Sequence, residues 1–319
     1  MVAGLPVAQV LAGLKVDPDF QADAANILWI HRRIGGAEVY FVSNQEEAGR
    51  TAVCSFRVTG RQPELWDAAT GQMRDARAFA SEGGVTKLAI RFDPSGSCFV
   101  VFRRPAAAAA GGRNWDAFSP AQEIGGGWAV RFDPRWGGPG RVTFDELSDW
   151  TMRNEPGIRY YSGTAVYEKE FDWTRRNGRL FLDLGAVKNL AEVRLNGKSL
   201  GVLWKPPFQI EVTRALRPGK NILEVRVTNL WPNRLIGDEQ EPEDCVWAPE
   251  EVWTGIGATP EEKVAIGRPL KEVPAWLVAG TPRPSAGRYT FTTWNFYRKD
   301  SPLLESGLLG PVRLLVLAD

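Results

Sequence analysis

The sequence predicts an all-β protein of two β-sandwich domains, on three observations. The 319 residues include 33 Gly and 22 Pro, and no segment sustains the 3.6-residue apolar period of a long helix. Short runs rich in β-branched and aromatic residues recur between turn residues. Several runs alternate and close on hairpin signals, as where Glu192-Val193-Arg194-Leu195 leads into Asn196-Gly197, two residues that tolerate the left-handed backbone of tight hairpins. The length leaves room for two separate cores.

The N-terminal domain is read as residues 1–105. A short leading helix is expected over Val7 to Leu14, closed by the turn at Pro18. Strands follow at Ile27–Ile34, Glu38–Ser43, Ala52–Val58, Thr86–Phe92 and Cys98–Phe102. Gly35-Gly36 joins the first two, and Asp93-Pro94-Ser95-Gly96 is a turn with Pro preset at its first central position. Pro105, five alanines and Gly111-Gly112 make residues 106–113 a linker. The C-terminal domain, 114–319, has expected strands at Ala165–Phe171, Leu180–Leu184, Ala191–Leu195, Gln209–Val212, Ile222–Thr228, Arg288–Thr293 and Val312–Leu317. Between Ile222–Thr228 and Arg288–Thr293 lies Trp231 to Pro284, rich in Pro, Glu and Trp. A loop of that length in a compact domain is functional or packed over the sheet.

Composition excludes several functions. With 39 basic and 38 acidic residues the chain carries a charge of +1, without the basic excess of a nucleic-acid binder. No apolar run approaches the roughly 20 residues that span a bilayer, so no membrane partner is expected. The single histidine, His31, rules out a multi-histidine zinc site and an H-E-x-x-H helix, and no G-x-S-x-G turn is present. His31 is expected to make one structural hydrogen bond within its strand, a sugar contact being the alternative. Cys54, Cys98 and Cys245 are odd in number and widely spaced, which argues against a disulfide framework. They read as buried thiols, with at most Cys54 facing Cys98 across a sheet. Met1 to Leu14 has no basic start and is broken by Pro6 and Gly13. No export signal is therefore read, and the chain as written is expected in the cytoplasm unless a longer protein has lost its beginning. No cofactor is expected. The acidic clusters leave a structural Ca2+ open, but no EF-hand pattern marks a site and no metal ligands are assigned.

The chemistry concentrates around residues 229–251. Asp238, Glu239, Glu241, Glu243 and Asp244 form the densest acidic cluster. Paired carboxyls can serve as general acid and general base, so Asp238 and Glu241 are the candidate catalytic pair. Trp231, Trp247 and Trp253 offer indole faces for the C–H surface of a sugar, and Asn229, Asn233 and Arg234 offer polar clamps at a strand end, where loops collect function. The structural alternative is an Arg234–Asp238 ion pair anchoring an acidic loop. Trp204, in the rigid run Trp204-Lys205-Pro206-Pro207-Phe208, is either a stacking platform or part of a plug. Trp294 would lie on the strand face opposite Tyr289 and Phe291. Glu155, beside Tyr160 and Tyr161, and Glu305 are further acids, either turn residues or a proton donor with a raised pKa.

Four segments carry a family resemblance: Thr164–Phe171, Leu182-Asp183-Leu184-Gly185, Ala191–Lys198 and Gly219–Val225. They resemble the sugar-binding jelly roll of family 2 glycoside hydrolases, a galactose-binding-like fold. Trp29–Arg33, Tyr40–Gln45, Glu64–Asp67, Tyr160–Gly163, Trp231–Asp238 and Ser306–Val312 look like the C-terminal part of family 106 glycoside hydrolases, typified by α-L-rhamnosidases. The resemblance runs from about residue 17 to the end. It implies a galactose-binding-like jelly roll as the second domain and a glycoside or oligosaccharide as ligand. Family members place their catalytic carboxylates on a (β/α)8 barrel, and this sequence has no alternating strand–helix units to build one. The expected function is therefore the sugar-binding region of a glycosidase, partnered by a catalytic barrel or by a second copy. The alternative is a small exo-glycosidase, of β-galactosidase or α-L-rhamnosidase type, using carboxylates of the 238–251 loop.

Overall fold

In the computed structural model, residues 6–14, 16–106, 111–174, 176–254 and 264–318 are described. The chain divides into two compact units, Met1–Ala117 and Phe118–Asp319. The alanines at 107–110, the centre of the expected linker, lie outside the described residues. The division falls later than expected because Asn114 belongs to the first unit. Its side-chain carbonyl accepts from the amides of Arg77 and Ala78, both at 2.8 Å.

The first unit has a short helix at Val7–Gly13 and two antiparallel sheets of four and five strands. The expected hairpin is present: Ile27–Ile34 pairs with Ala37–Asn44 around Gly35 and Gly36, both at positive φ. In Ala37–Asn44 every second residue is buried, and Tyr40 and Val42 meet Cys54, Phe56, Ile90, Val100 and Phe102 in the core. A strand at Arg61–Trp66 escapes the sequence reading because it contains proline. It is accommodated at a bulge between Gln62 and Pro63. Cys54 and Cys98 carry free thiols that burial pushes up to about 12, well away from reactive thiolates.

His31 makes two contacts rather than one. Its ring nitrogens lie 2.8 Å from Asp19 and 2.9 Å from Glu38, and the ring stacks on Tyr40 at 4.0 Å. The carboxylates are held in turn by Arg57 and Arg33, a structural cluster.

The second unit is a β-sandwich with facing sheets of four and six strands. At its centre Thr164–Trp173 pairs with Gly219–Thr228 over ten residues. Leu190–Leu195 and Lys198–Leu203 form the expected hairpin, with Asn196 at φ 53° and Gly197 at φ 79°. Ala191, Val193 and Leu195 face the core as alternation requires. Strands at Phe118–Glu123, Trp128–Arg131 and Arg141–Phe144 extend the sheets beyond the sequence reading. Arg288–Thr293 is not a strand; only Trp294–Asn295 pairs, with Arg268 and Pro269. Phe208 is buried and plugs the sandwich, while Trp204 is exposed.

Tyr167 is fully buried among Trp128, Phe144 and Trp150, and its hydroxyl accepts from the Trp150 indole at 2.5 Å and from the Leu308 amide at 3.2 Å. Tyr167→Phe strands two buried donors and should cost about 1–3 kcal/mol per lost acceptor. Urea unfolding with the mid-unit tryptophans as probe measures it; an unchanged midpoint would show that these donors find other partners.

Candidate functional site

The weakly periodic stretch after Thr228 opens with a helix rather than a loop. Pro232 occupies the first turn, where its missing N–H costs nothing, and the helix runs Pro232–Asp238. Seven residues are too few to be stable alone, so tertiary contacts hold it. Asn233 donates to the Leu304 carbonyl and Ser306 hydroxyl and accepts from the Leu304 amide. Asn229 donates to the Tyr161 carbonyl and Ser306 hydroxyl and accepts from Gly163. The Ser162 hydroxyl donates to the Leu230 carbonyl and receives the Arg234 amide.

Arg234 and Asp238 stand one turn apart and pair at 2.9 Å, with side chains 6% and 4% exposed. Asp238 also accepts the amides of Tyr289 and Thr290 and the Thr290 hydroxyl. The guanidinium carbon lies 5.0 Å from the Tyr289 ring centre. This one carboxylate thus ties the helix to residues 289–290 and consumes the amides that a strand there would have offered to a sheet.

Two more arginines complete the bracket. Arg288 donates to Glu239 at 3.0 Å and to the carbonyls of Glu241 and Pro242. Arg283 holds Asp244 through two nitrogens. Burial pushes the Asp244 carboxyl up, but the hydrogen bonds and charge of Arg283, aided by Arg288, outweigh it and hold it below the usual carboxylate range.

A cavity of about 110 Å3 lies against this bracket. Its polar lining includes Asp238, Glu239, Arg283, Arg288 and Asn295; its apolar lining includes Trp247, Phe291, Trp294, Phe296 and Tyr297. Phe291, Trp294 and Phe296 are partly exposed, at 38%, 38% and 48%, so aromatic surface faces the opening.

Of the residues singled out from sequence as acids or indole faces, Asp238, Glu239, Trp247 and Trp294 line the cavity. Asn229, Asn233 and Arg234 are buried with protein partners instead of forming clamps on its wall. Trp204 and Trp231 are exposed outside the lining, Trp231 edge-on to Trp136 at 6.0 Å, and the side chain of Trp253 lies outside the described residues. Glu241 is exposed against Gly287. Asp238 and Glu241 therefore do not form a free carboxyl pair in the cavity: the first is saturated with donors and the second is exposed and outside the lining. Glu155 is paired with Arg153, whose hydrogen bond lowers its pKa rather than raising it, and Glu305 is paired with Lys188. Phe291, expected on the strand face opposite Trp294, lines the same cavity, and Arg283, Asn295 and Phe296 were missed. Their only sequence signal is a local density of aromatic and Arg residues without periodicity. Among the described residues no group of three or more His, Cys, Asp or Glu gathers as a metal site.

The second unit is thus a β-sandwich that carries a polar–aromatic cavity. Residues 1–80 match the α-L-rhamnosidase family, glycoside hydrolase family 106. The solved structure of a rhamnosidase from Novosphingobium sp. PP1Y is 33% identical, covers 97% of this chain and superposes with a TM-score of 0.73. A Formosa agariphila protein provisionally named a β-glucuronidase is 45% identical over 200 residues, 61% of this chain. The chain spans 26% of the first relative and 16% of the second. It is of glycoside hydrolase lineage, as the sequence resemblance implied.

Two outcomes follow from the bracket. Arg234→Ala leaves a buried carboxylate without its cation and should destabilise the second unit by about 3–5 kcal/mol, read as a drop in the urea midpoint. Asp244, with its folded pKa depressed, contributes stability that is present above the unfolded Asp value of about 3.9 and is lost as pH falls through the folded value. Melting temperature should therefore hold from neutral pH to about 4 and fall below it, and Arg283→Gln should flatten that acid limb.

Proposed function

We propose that this chain is a glycan-binding β-sandwich region of a glycoside hydrolase, and that the cavity beside helix Pro232–Asp238 seats one neutral sugar residue. The observation that carries this reading is the cavity wall: partly exposed Phe291, Trp294 and Phe296 beside polar groups already fixed in place. A pyranose offers C–H faces to aromatic rings and hydroxyls to fixed amides and carboxylates.

Charge selects among sugars. Arg283 and Arg288 in the wall are neutralised by Asp244 and Glu239, and Arg234 behind it by Asp238, leaving no unpaired cation for a uronate among the described lining residues. Of the activities named for the two relatives, a rhamnoside is neutral and a glucuronide is anionic, and this wall favours the neutral ligand. The same pairing removes the carboxyls that hydrolysis would need, so catalysis belongs to a partner barrel domain.

Calorimetry with L-rhamnose, galactose and glucuronate tests the reading. A neutral sugar should bind, glucuronate should not, and Trp294→Ala should weaken binding at least tenfold with the melting temperature kept. Nitrophenyl glycosides should not be turned over. Hydrolysis abolished by Glu241→Gln would replace this reading with the stand-alone glycosidase.

A further inference from the structure

We propose that the first unit carries a separate site for an acidic polysaccharide, built by Arg74, Arg77, Lys87, Arg91 and Arg113 around Trp115. The site begins with an unfinished sheet edge. Ala80–Glu82 pairs with Val85–Phe92 only as far as Lys87, so the strand runs on with carbonyls unmatched on that side. The Trp115 indole takes one of them, donating to Ala89 at 3.3 Å. Its neighbour Asn114 is buried and clamps Arg77 and Ala78. Residues 114–115 thus strap the edge.

Cations collect on this strap. The guanidinium of Arg74 lies 4.6 Å from the Trp115 ring centre and that of Arg91 5.8 Å from it. Arg91 also donates to the Asp116 carbonyl at 3.3 Å. A groove of about 500 Å3 alongside is lined by Lys87, Arg113, Asn114, Trp115, Phe79 and Val53, within the size range of ligand clefts.

The basic side chains of this cluster make no ion pair. Elsewhere in the same unit Arg33, Arg57, Arg103 and Arg104 each pair with a carboxylate. Among the described residues, Arg74, Arg77, Lys87, Arg91 and Arg113 have no carboxylate within 4.0 Å. Asp116 is the acid whose charge acts most on Arg74, and the charges of Arg91 and Arg77 oppose it more weakly. Stacked guanidiniums keep their edge N–H donors free for an anion, and a bound anion would relieve the repulsion.

A polysaccharide fits this site better than a nucleic acid. The whole chain carries only +1, and Arg74 already covers the tryptophan on which a base would stack. The choice of a glycan rests on the function proposed above; the cationic site itself does not. The shared ligand chemistry is an acidic group on each sugar residue, carboxylate or sulfate.

Affinity electrophoresis of the whole chain tests the proposal, with polygalacturonate, dextran sulfate or neutral dextran in the gel. Retardation is expected with at least one acidic polymer, identifying carboxylate or sulfate, and not with dextran; it should weaken as salt rises. Arg74→Gln with Arg91→Gln should weaken it at least tenfold, and Lys87→Gln with Arg113→Gln, both exposed, serves if the first pair fails to fold. Trp294→Ala should leave it unchanged, so loss of neutral-sugar binding and loss of this site are separable. No retardation by either acidic polymer would overturn the proposal, as would equal retardation of a folded variant. Displacement by duplex DNA as effective as by the polysaccharide would overturn the glycan assignment.

Discussion

The Asp238 carboxylate is the contact on which the second unit's site depends. Its oxygens take one guanidinium, two backbone amides and a hydroxyl, and each donor comes from a segment with no regular partner of its own. A seven-residue helix and a strandless stretch cannot satisfy themselves. Joined through one buried carboxylate, they become a wall. The amides of Asn229 and Asn233 and the hydroxyls of Ser162 and Ser306 then seat that wall on the end of the sandwich.

The same contact sets the electrostatics of the cavity. Burying three arginines at low dielectric requires three nearby anions, and Asp238, Glu239 and Asp244 supply them. Selectivity there must come from shape and aromatic stacking. The first unit has the opposite arrangement. Its guanidiniums near Trp115 sit at an exposed edge, where water tolerates unpaired charge and an anion can displace it. One chain thus presents a neutral, aromatic recess and a cationic edge, two chemistries suited to different features of a glycan.

A sandwich of glycoside hydrolase lineage is a scaffold, and its fold alone does not define an activity. What this chain adds is local: a bracket of ion pairs in one unit and a strap across a sheet edge in the other.

The sequence by itself determined the sheets. Gly35-Gly36 and Asn196-Gly197 set hairpins because their turns need positive φ, and alternation in 190–195 and 219–228 set which face is buried. It also located the site region, and Asp238 and Trp294 do line the cavity. Tertiary structure decided what the polar residues do. Asn229, Asn233 and Arg234 read as sugar clamps because a buried amide and an exposed one have the same sequence signature once periodicity ends. Arg288–Thr293 read as a strand because its composition is strand-like, yet Asp238, some fifty residues away, claims its amides first. Arg74 and Trp115 meet only because an edge strand stops short and a strap covers it. Local patterning records which side of an element is apolar; which distant group satisfies a given donor is a property of the folded chain alone.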